Sequence, residues 1–324
     1  VTLPTDPLWP RAGGWPAPEP GTDADAALLG VPTWRTSLSP TGAHATPAAV
    51  REALRRYSPT VLLQGEPERH AIAGPVEPVD LDEVLRIVDA GDVDEPDGPD
   101  GEAAAREAVA RLAERTGLVI ALGGDNSATH PVAQGARATG LITIDAHFDL
   151  RDGVSNGSPV RRLVEDGLDP SRIVQLGIAD FANSPAYARR AAEWGITVVT
   201  LEELRRRGAA DVIADALDVA GAWPGDEASG VRVHLDVDVD VCDRAVAPGC
   251  PASVPGGLEA RELRALVRAA GADPRVTSAD IVEVDATADA ADGRTVRLAA
   301  LCVLELLAGR ALRTADNARG MLSA

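Results

Sequence analysis

The chain has no lysine. Every one of its 31 basic residues is arginine. That excludes Schiff-base chemistry on a lysine and a Walker-type phosphate loop, both of which need the amine. It otherwise reads as a mark of biased base composition. Aromatics are scarce at 3%, so Leu, Val, Ile and Ala must fill the interior of a chain that is 45% hydrophobic. The three cysteines, Cys242, Cys250 and Cys302, show no CxxC spacing. An odd, scattered set argues against a disulfide framework and fits a reduced, cytoplasmic protein. No apolar run is long enough to span a bilayer. The stretch from Val1 to Pro20 is rich in Pro and Trp and does not read as a signal peptide. Positive charge is also in short supply overall. With 50 acidic residues the net charge is −19, a field that repels phosphate and argues against nucleic acid and anionic membranes as partners.

What is present is a regular alternation. Residues 1–24 read as an irregular arm, and Ala26 to Val31 is a first apolar strand stopped by Pro32. Pro47 to Tyr57 has helical composition. Residues 89–102, acidic and rich in Gly and Pro, read as a solvated loop. From Glu102 onward, apolar strands (Leu118–Leu122, Leu141–Ile144, Arg172–Ile178, Ile196–Val199, Val231–Val237, Ser278–Val284) alternate with amphipathic helices. Continuous apolar strands between such helices predict a mostly parallel sheet covered on both faces, and no linker divides residues 1–324 into two domains. Ligands of such sheets bind beyond the carboxyl ends of the strands. Asp125, Asp145, Asp236 and Glu283 all fall at that end.

Two clusters stand out there. Asp145, His147 and Asp149 follow one apolar run at i, i+2 and i+4, and Asp236 and Asp238 end another about ninety residues later. In extended backbone, alternate side chains share a face. Carboxylates crowded on one face repel each other, so a cation is expected among them. Oxygen ligands with imidazole and no thiolate suit Mn²⁺. A divalent ion lowers the pKa of water from 15.7 toward roughly 7, which points to hydrolysis.

Three segments resemble the ureohydrolase superfamily of arginases, agmatinases and formimidoylglutamases. They are Gly123-Gly124-Asp125-Asn126-Ser127, Asp145-Ala146-His147-Phe148-Asp149, and Asp236-Val237-Asp238 running on to Ala247-Pro248-Gly249. Asp280-Ile281-Val282-Glu283-Val284 is similar to the superfamily's late carboxylate segment. The resemblance implies a three-layer α/β/α fold, two manganese ions, a small-molecule substrate and a trimer or hexamer. It implies Asp145 and Asp236 as bridging ligands, His147 and Asp238 completing one site, and Asp149 serving the other. Asn126 stands where that second site expects a histidine. An amide is a weaker ligand, so this ion is expected to be weakly held or missing.

Arg151 and the turn Ser155-Asn156-Gly157-Ser158 are similar to the formimidoylglutamase branch. That implies hydrolysis of N-formimidoyl-L-glutamate to L-glutamate and formamide in histidine breakdown, by metal-bound hydroxide with Asp149 as proton relay. Glu283 is then expected at the cationic head of the substrate and Arg151 at a carboxylate, with Asn156 also binding the substrate. The competing readings are an amidinohydrolase of a guanidino compound and a silent, metal-poor homologue. Of the remaining residues, His234 reads as a satisfied core histidine, His130 as lying a helical turn away from the strand ends, Arg35 as a surface group, and His44 equally as a cleft-lining or a surface residue. His70 has no informative context, and nothing near Cys250 argues for a lowered pKa.

Overall fold

A computed structural model describes residues 6–65, 73–222 and 230–322, with residues 314–322 described by their backbone alone. Strand β1 (Ala26–Val31) leads to helix α1 (Thr46–Leu54), then to a small antiparallel pair, β2 (Thr60–Gln64) and β3 (Val76–Asp80). A single turn, α2 (Leu81–Val84), connects to β4 (Ile87–Asp92) and α3 (Gly98–Ala113). The alternation continues through β5 (Val119–Gly123), α4 (Thr129–Gly135), β6 (Gly140–Ile144), α5 (Pro159–Glu165), β7 (Ile173–Ile178), α6 (Pro185–Trp194) and β8 (Thr197–Thr200). Helices α7 (Leu201–Arg206) and α8 (Ala209–Ala220) precede β9 (Val233–Asp238), and α9 (Ala260–Ala272), β10 (Val276–Val282) and α10 (Arg294–Leu322) close the chain.

Eight strands form one parallel sheet in the order β4-β1-β5-β10-β9-β6-β7-β8. The two-residue period of each strand sorts side chains to opposite faces. Leu28, Ile120, Ile142, Leu235 and Ile281 join α1, α8, α9 and α10 in one apolar cluster. Leu29, Val119 and Ala121 join α3 and α4 in a second, and Leu141 and Ile173 join α5 and α6 in a third. This is the expected three-layer α/β/α arrangement.

The acidic loop expected at residues 89–102 is a correction. Its first part, to Asp92, is the end of edge strand β4, and its last part, from Gly98, is the first turn of α3. The charges that suggested solvation are neutralised locally: Arg51 of α1 pairs with Asp89 and Asp92, at 2.7 Å to the former. Among the described residues no helix is long and apolar enough to cross a membrane.

Candidate metal centre

Three of the central strands deliver the site at their carboxyl ends. Strand β5 ends in Gly123, and Gly124 follows with its backbone so close to the carbonyl of Thr33 that a Cβ would lie 2.0 Å from that oxygen. The tight crossing turns the chain into a 3-10 turn at 126–128. Asp125 caps that turn, accepting from the Ser127 backbone N–H at 3.2 Å. Asn126, the next residue, is 1% exposed and points into the cluster. Its amide Nδ2 donates to Asp149 Oδ2 at 2.5 Å and to Asp238 Oδ2 at 3.1 Å.

Strand β6 ends at Ile144, and residues 145–150 are neither strand nor helix. The expectation that Asp145, His147 and Asp149 share a face of one extended segment is therefore replaced by a wrapped loop. Asp149 has a φ of +52°, and Glu283, just past β10, has a φ of +60°. Left-handed backbone is uncommon for such residues and persists where the surroundings over-determine it. Here it bends two carboxyls back toward the cluster. Asp145 and Asp149 are buried, and His147 Nδ1 lies 3.5 Å from Asp145 Oδ1 and 3.1 Å from Asp240 Oδ2.

Two overlapping groups result. One ligand atom from each of Asp145, His147 and Asp240 lies within 4.8 Å of the others, and the same holds for Asp145, Asp149 and Asp238. Asp145 belongs to both. Asp236, expected as a bridge, belongs to neither, and Asp238 groups with Asp149 and not with His147. The expected register along β9 was two residues too deep. Asp238 is the last residue of the strand, and Asp240 sits in the 3-10 turn that follows. Asp236 lies between Thr143 of β6 and Asp280 of β10 within the sheet. At strand rise, two residues are about 6.6 Å. The signal for Asp240 was in the chain: 236, 238 and 240 repeat the spacing of 145, 147 and 149.

The electrostatics fit a cation. Burial pushes the Asp145 carboxyl up to about 6, with the His147 contacts opposing. Burial and neighbouring carboxylates push Asp149 and Asp238 well above the usual carboxylate range. Against the cost of burial, the charge of Asp240 and the contact with Asp145 raise the His147 imidazole to about 12. Asp145 Oδ2 and Asp240 Oδ1 are buried with no hydrogen-bond partner. Buried polar atoms are normally satisfied, and a divalent ion supplies both the missing partner and the missing charge. The oxygen-rich, thiolate-free donor set suits Mn²⁺.

The cluster forms one wall of a cavity of about 470 Å³. Arg151, Asn156 and Glu283 line it with His147, Asp149, Asp238 and Asp240. Glu283 accepts from the Asn126 backbone N–H at 3.1 Å and from the Asn156 side chain. Burial, then the charge of Asp125, pushes its carboxyl up to about 8. The stem of Arg151 lies across Gly157, where a Cβ would come within 2.6 Å of Arg151 Cδ. Ser37, Leu38, Asn183 and Tyr187 also line the cavity, and the sequence reading singled out none of them.

Of the residues set aside, His234, His130 and Arg35 fall where expected, and His44, left open between cleft and surface, is exposed. His234 is fully buried, 2.9 Å from Ser278 Oγ and 3.1 Å from Asp280 Oδ2. His130 lies 2.7 Å from Asp166, away from the cluster. Arg35 pairs with Glu95 at the surface, and exposed His44 packs on Trp34 with ring centroids 5.0 Å apart. Cys250 is buried, which raises its thiol pKa. His70 lies outside the described residues.

The model of the arginase family matches residues 24–309. Formimidoylglutamase of Halobacterium salinarum is 36% identical over 324 residues, covering 94% of this chain and 95% of its own. The crystal structure of formimidoylglutamase from Bacillus subtilis superposes with a TM-score of 0.79 at 30% identity, covering 96% of this chain and 95% of that one. A Trypanosoma cruzi formiminoglutamase crystallised with Mn²⁺ has a TM-score of 0.74 over 90% of this chain and 94% of its own; at 24% identity that likeness concerns the fold.

Proposed function

This chain belongs to the arginase family, and from that premise we propose that it hydrolyses N-formimidoyl-L-glutamate to L-glutamate and formamide. One observation carries the choice of substrate. A single cavity is lined by the carboxylate–imidazole cluster, the buried Glu283 and Arg151. Formimidoylglutamate has a cationic amidine head and two carboxylates, the complement of that lining. The near full-length likeness to formimidoylglutamases supports the same reading.

Asp145, His147 and Asp240 would hold one divalent ion, and Asp145, Asp149 and Asp238 a second, with Asn126 as a weak neighbour of the second. Bound there, Mn²⁺ supplies Lewis-acid polarisation and water of lowered pKa. The rest falls to the protein. Glu283, fixed by the Asn126 N–H and the Asn156 amide, accepts hydrogen bonds from the amidine nitrogens and orients the formimidoyl carbon. Arg151 forks onto a substrate carboxylate, a charge-assisted contact that agmatine would not make. Among the described residues its guanidinium has no carboxylate partner, so it is available for this role. Asp149 Oδ2 takes a proton from the attacking water and returns it to the nitrogen that leaves as the glutamate amine. The bond broken is the one between the formimidoyl carbon and that nitrogen, and the oxygen gained becomes the formamide carbonyl.

The same proposal includes a place in histidine breakdown, a trimer or hexamer and a cytoplasmic location. The three cysteines, all buried and unpaired, support the last. The test is an assay of Mn²⁺-loaded protein on formimidoylglutamate and on agmatine and guanidino acids. Formamide and glutamate from the first, with no urea from the others, is the expected result. Urea as the only product overturns the substrate assignment in favour of an amidinohydrolase. No bound Mn²⁺ and no turnover on any of them would support a silent homologue.

A further inference from the structure

The loop that carries Asp145, His147 and Asp149 has left the strand, so its peptide groups need partners from elsewhere. Strand β7 and the residue just after it supply the first ones. The Asp145 N–H donates to Leu176 O at 2.9 Å, and the Ala179 N–H donates to Ala146 O at 3.0 Å. From within β7, the Gln175 side chain donates to Phe148 O at 2.9 Å. Strand β7 ends at Ile178, and past it one side chain takes over. Asn183 Nδ2 donates to Ala146 O at 2.8 Å, and Asn183 Oδ1 accepts from the Phe148 N–H at 3.0 Å.

That pair of bonds has a recognisable form. In a parallel ladder, a residue donates to the carbonyl before its partner and accepts from the N–H after it. Ala146 and Phe148 flank His147. The Asn183 amide therefore extends the β6–β7 ladder by one place with a side chain, and the place is that of the only imidazole in the cluster. A longer contact to Ala179 O, 3.4 Å, ties the same amide to its own loop.

We propose that Asn183 is a positioning residue for the metal centre: its amide fixes the peptide groups on either side of His147 and so aims the imidazole at the ion held with Asp145 and Asp240. The inference rests on the reading of the cluster as a cation centre and not on the identity of the substrate. Residues that orient metal ligands typically change metal affinity by about 10–100-fold when removed. The test uses Asn183→Leu, which keeps the branch at Cγ and loses both hydrogen bonds. The readouts are Mn²⁺ affinity, from the free-ion EPR signal, and the increment in thermal midpoint on adding Mn²⁺. The variant is expected to bind Mn²⁺ about 10–100-fold more weakly and to show a smaller increment. A merely structural residue would lower the metal-free and loaded midpoints together and leave the affinity unchanged, and that result overturns the inference. If Asn183→Leu does not fold, Asn183→Asp decides: it keeps shape and acceptor, loses the donor, and adds negative charge. Weaker Mn²⁺ binding in spite of that charge supports the role, and equal or tighter binding overturns it. A wild-type protein that binds no Mn²⁺ would instead remove the cation centre itself.

Discussion

Asp236 and Asp238 are two residues apart on one strand, and strand periodicity turns them to the same face. Both are fully shielded, with exposures of 0% and 2%. Yet they belong to different regions. Asp238 lies at the strand end, facing a cavity, with Asp145 and Asp149 beside it. Asp236 lies inside the sheet, in a polar seam with Thr143, Gln175, His234, Ser278 and Asp280, all of them 0% exposed. Neither oxygen of Asp236 has a hydrogen-bond partner, and burial together with the charge of Asp280 pushes its carboxyl well up. Depth along the strand, not residue type or face, separates a ligand from an interior polar group.

The largest effect should follow from exchanging charge for amide at these two positions. Asp238→Asn is expected to empty the ion it shares with Asp145 and Asp149 and to cut turnover by about 10³-fold, several kcal/mol of lost stabilisation. Asp236→Asn should leave Mn²⁺ content intact and turnover within about tenfold. Metal analysis of both purified variants, with kcat, checks this. If Asp236→Asn strips the metal as fully, depth does not divide the two regions.

Arg151→Met sharpens the distinction within the cavity between groups that hold the ion and groups that hold the substrate. Loss of a charged hydrogen bond of about 1.5–3 kcal/mol predicts a KM raised by about 10–100-fold with kcat nearly kept and Mn²⁺ content unchanged. A fall in kcat at constant KM would remove Arg151 from carboxylate recognition.

Asn126→His should strengthen Mn²⁺ binding by about tenfold, since imidazole is a better ligand for a first-row ion than an amide. Titration of metal-free protein measures it. Unchanged affinity would mean that the Asn126 contacts to Asp149 and Asp238 do not mark a ligand position.

The smallest effect concerns a carboxylate in the opposite circumstance. Glu102 of α3 meets Arg162 of α5 at 2.6 Å and His130 of α4 at 3.6 Å. Burial alone would raise its pKa, but these hydrogen bonds and charges win and hold it at about 2, below the ordinary 4.5. A folded pKa below the unfolded one gives stability that is fully present above pH 4.5 and is lost as the pH falls toward 2. Glu102→Gln should flatten the fall of the thermal midpoint across that window. An identical pH profile in the variant would show that the clamp contributes nothing to acid stability.

Much of this was legible in the chain. The alternation of apolar strands with amphipathic helices determined the layered fold, because burial on both faces demands unbroken apolar strands. The spacing at 145, 147 and 149, the asparagine at 126 and the late Glu283 marked the site, since crowded carboxylates and an imidazole require a cation wherever they meet. The helical face of His130 and the core place of His234 were also readable from periodicity.

Tertiary structure alone decided the rest. Strand β9 runs on to Asp238 before the chain turns, so the ligand pair is Asp238 and Asp240, two residues beyond the expected Asp236 and Asp238. Strand boundaries depend on where neighbouring strands stop offering hydrogen bonds, which no local pattern encodes. The edge strand β4 escaped notice because its acids are paired with Arg51, distant in sequence. Asn183, separated from His147 by a strand and a helix, became its ladder partner only when β6 and β7 were laid side by side. Composition and spacing determined which chemistry this protein carries, and the packing of strands decided which atoms carry it, because a ligand is defined by position in space to within a few tenths of an ångström and a sequence specifies only order.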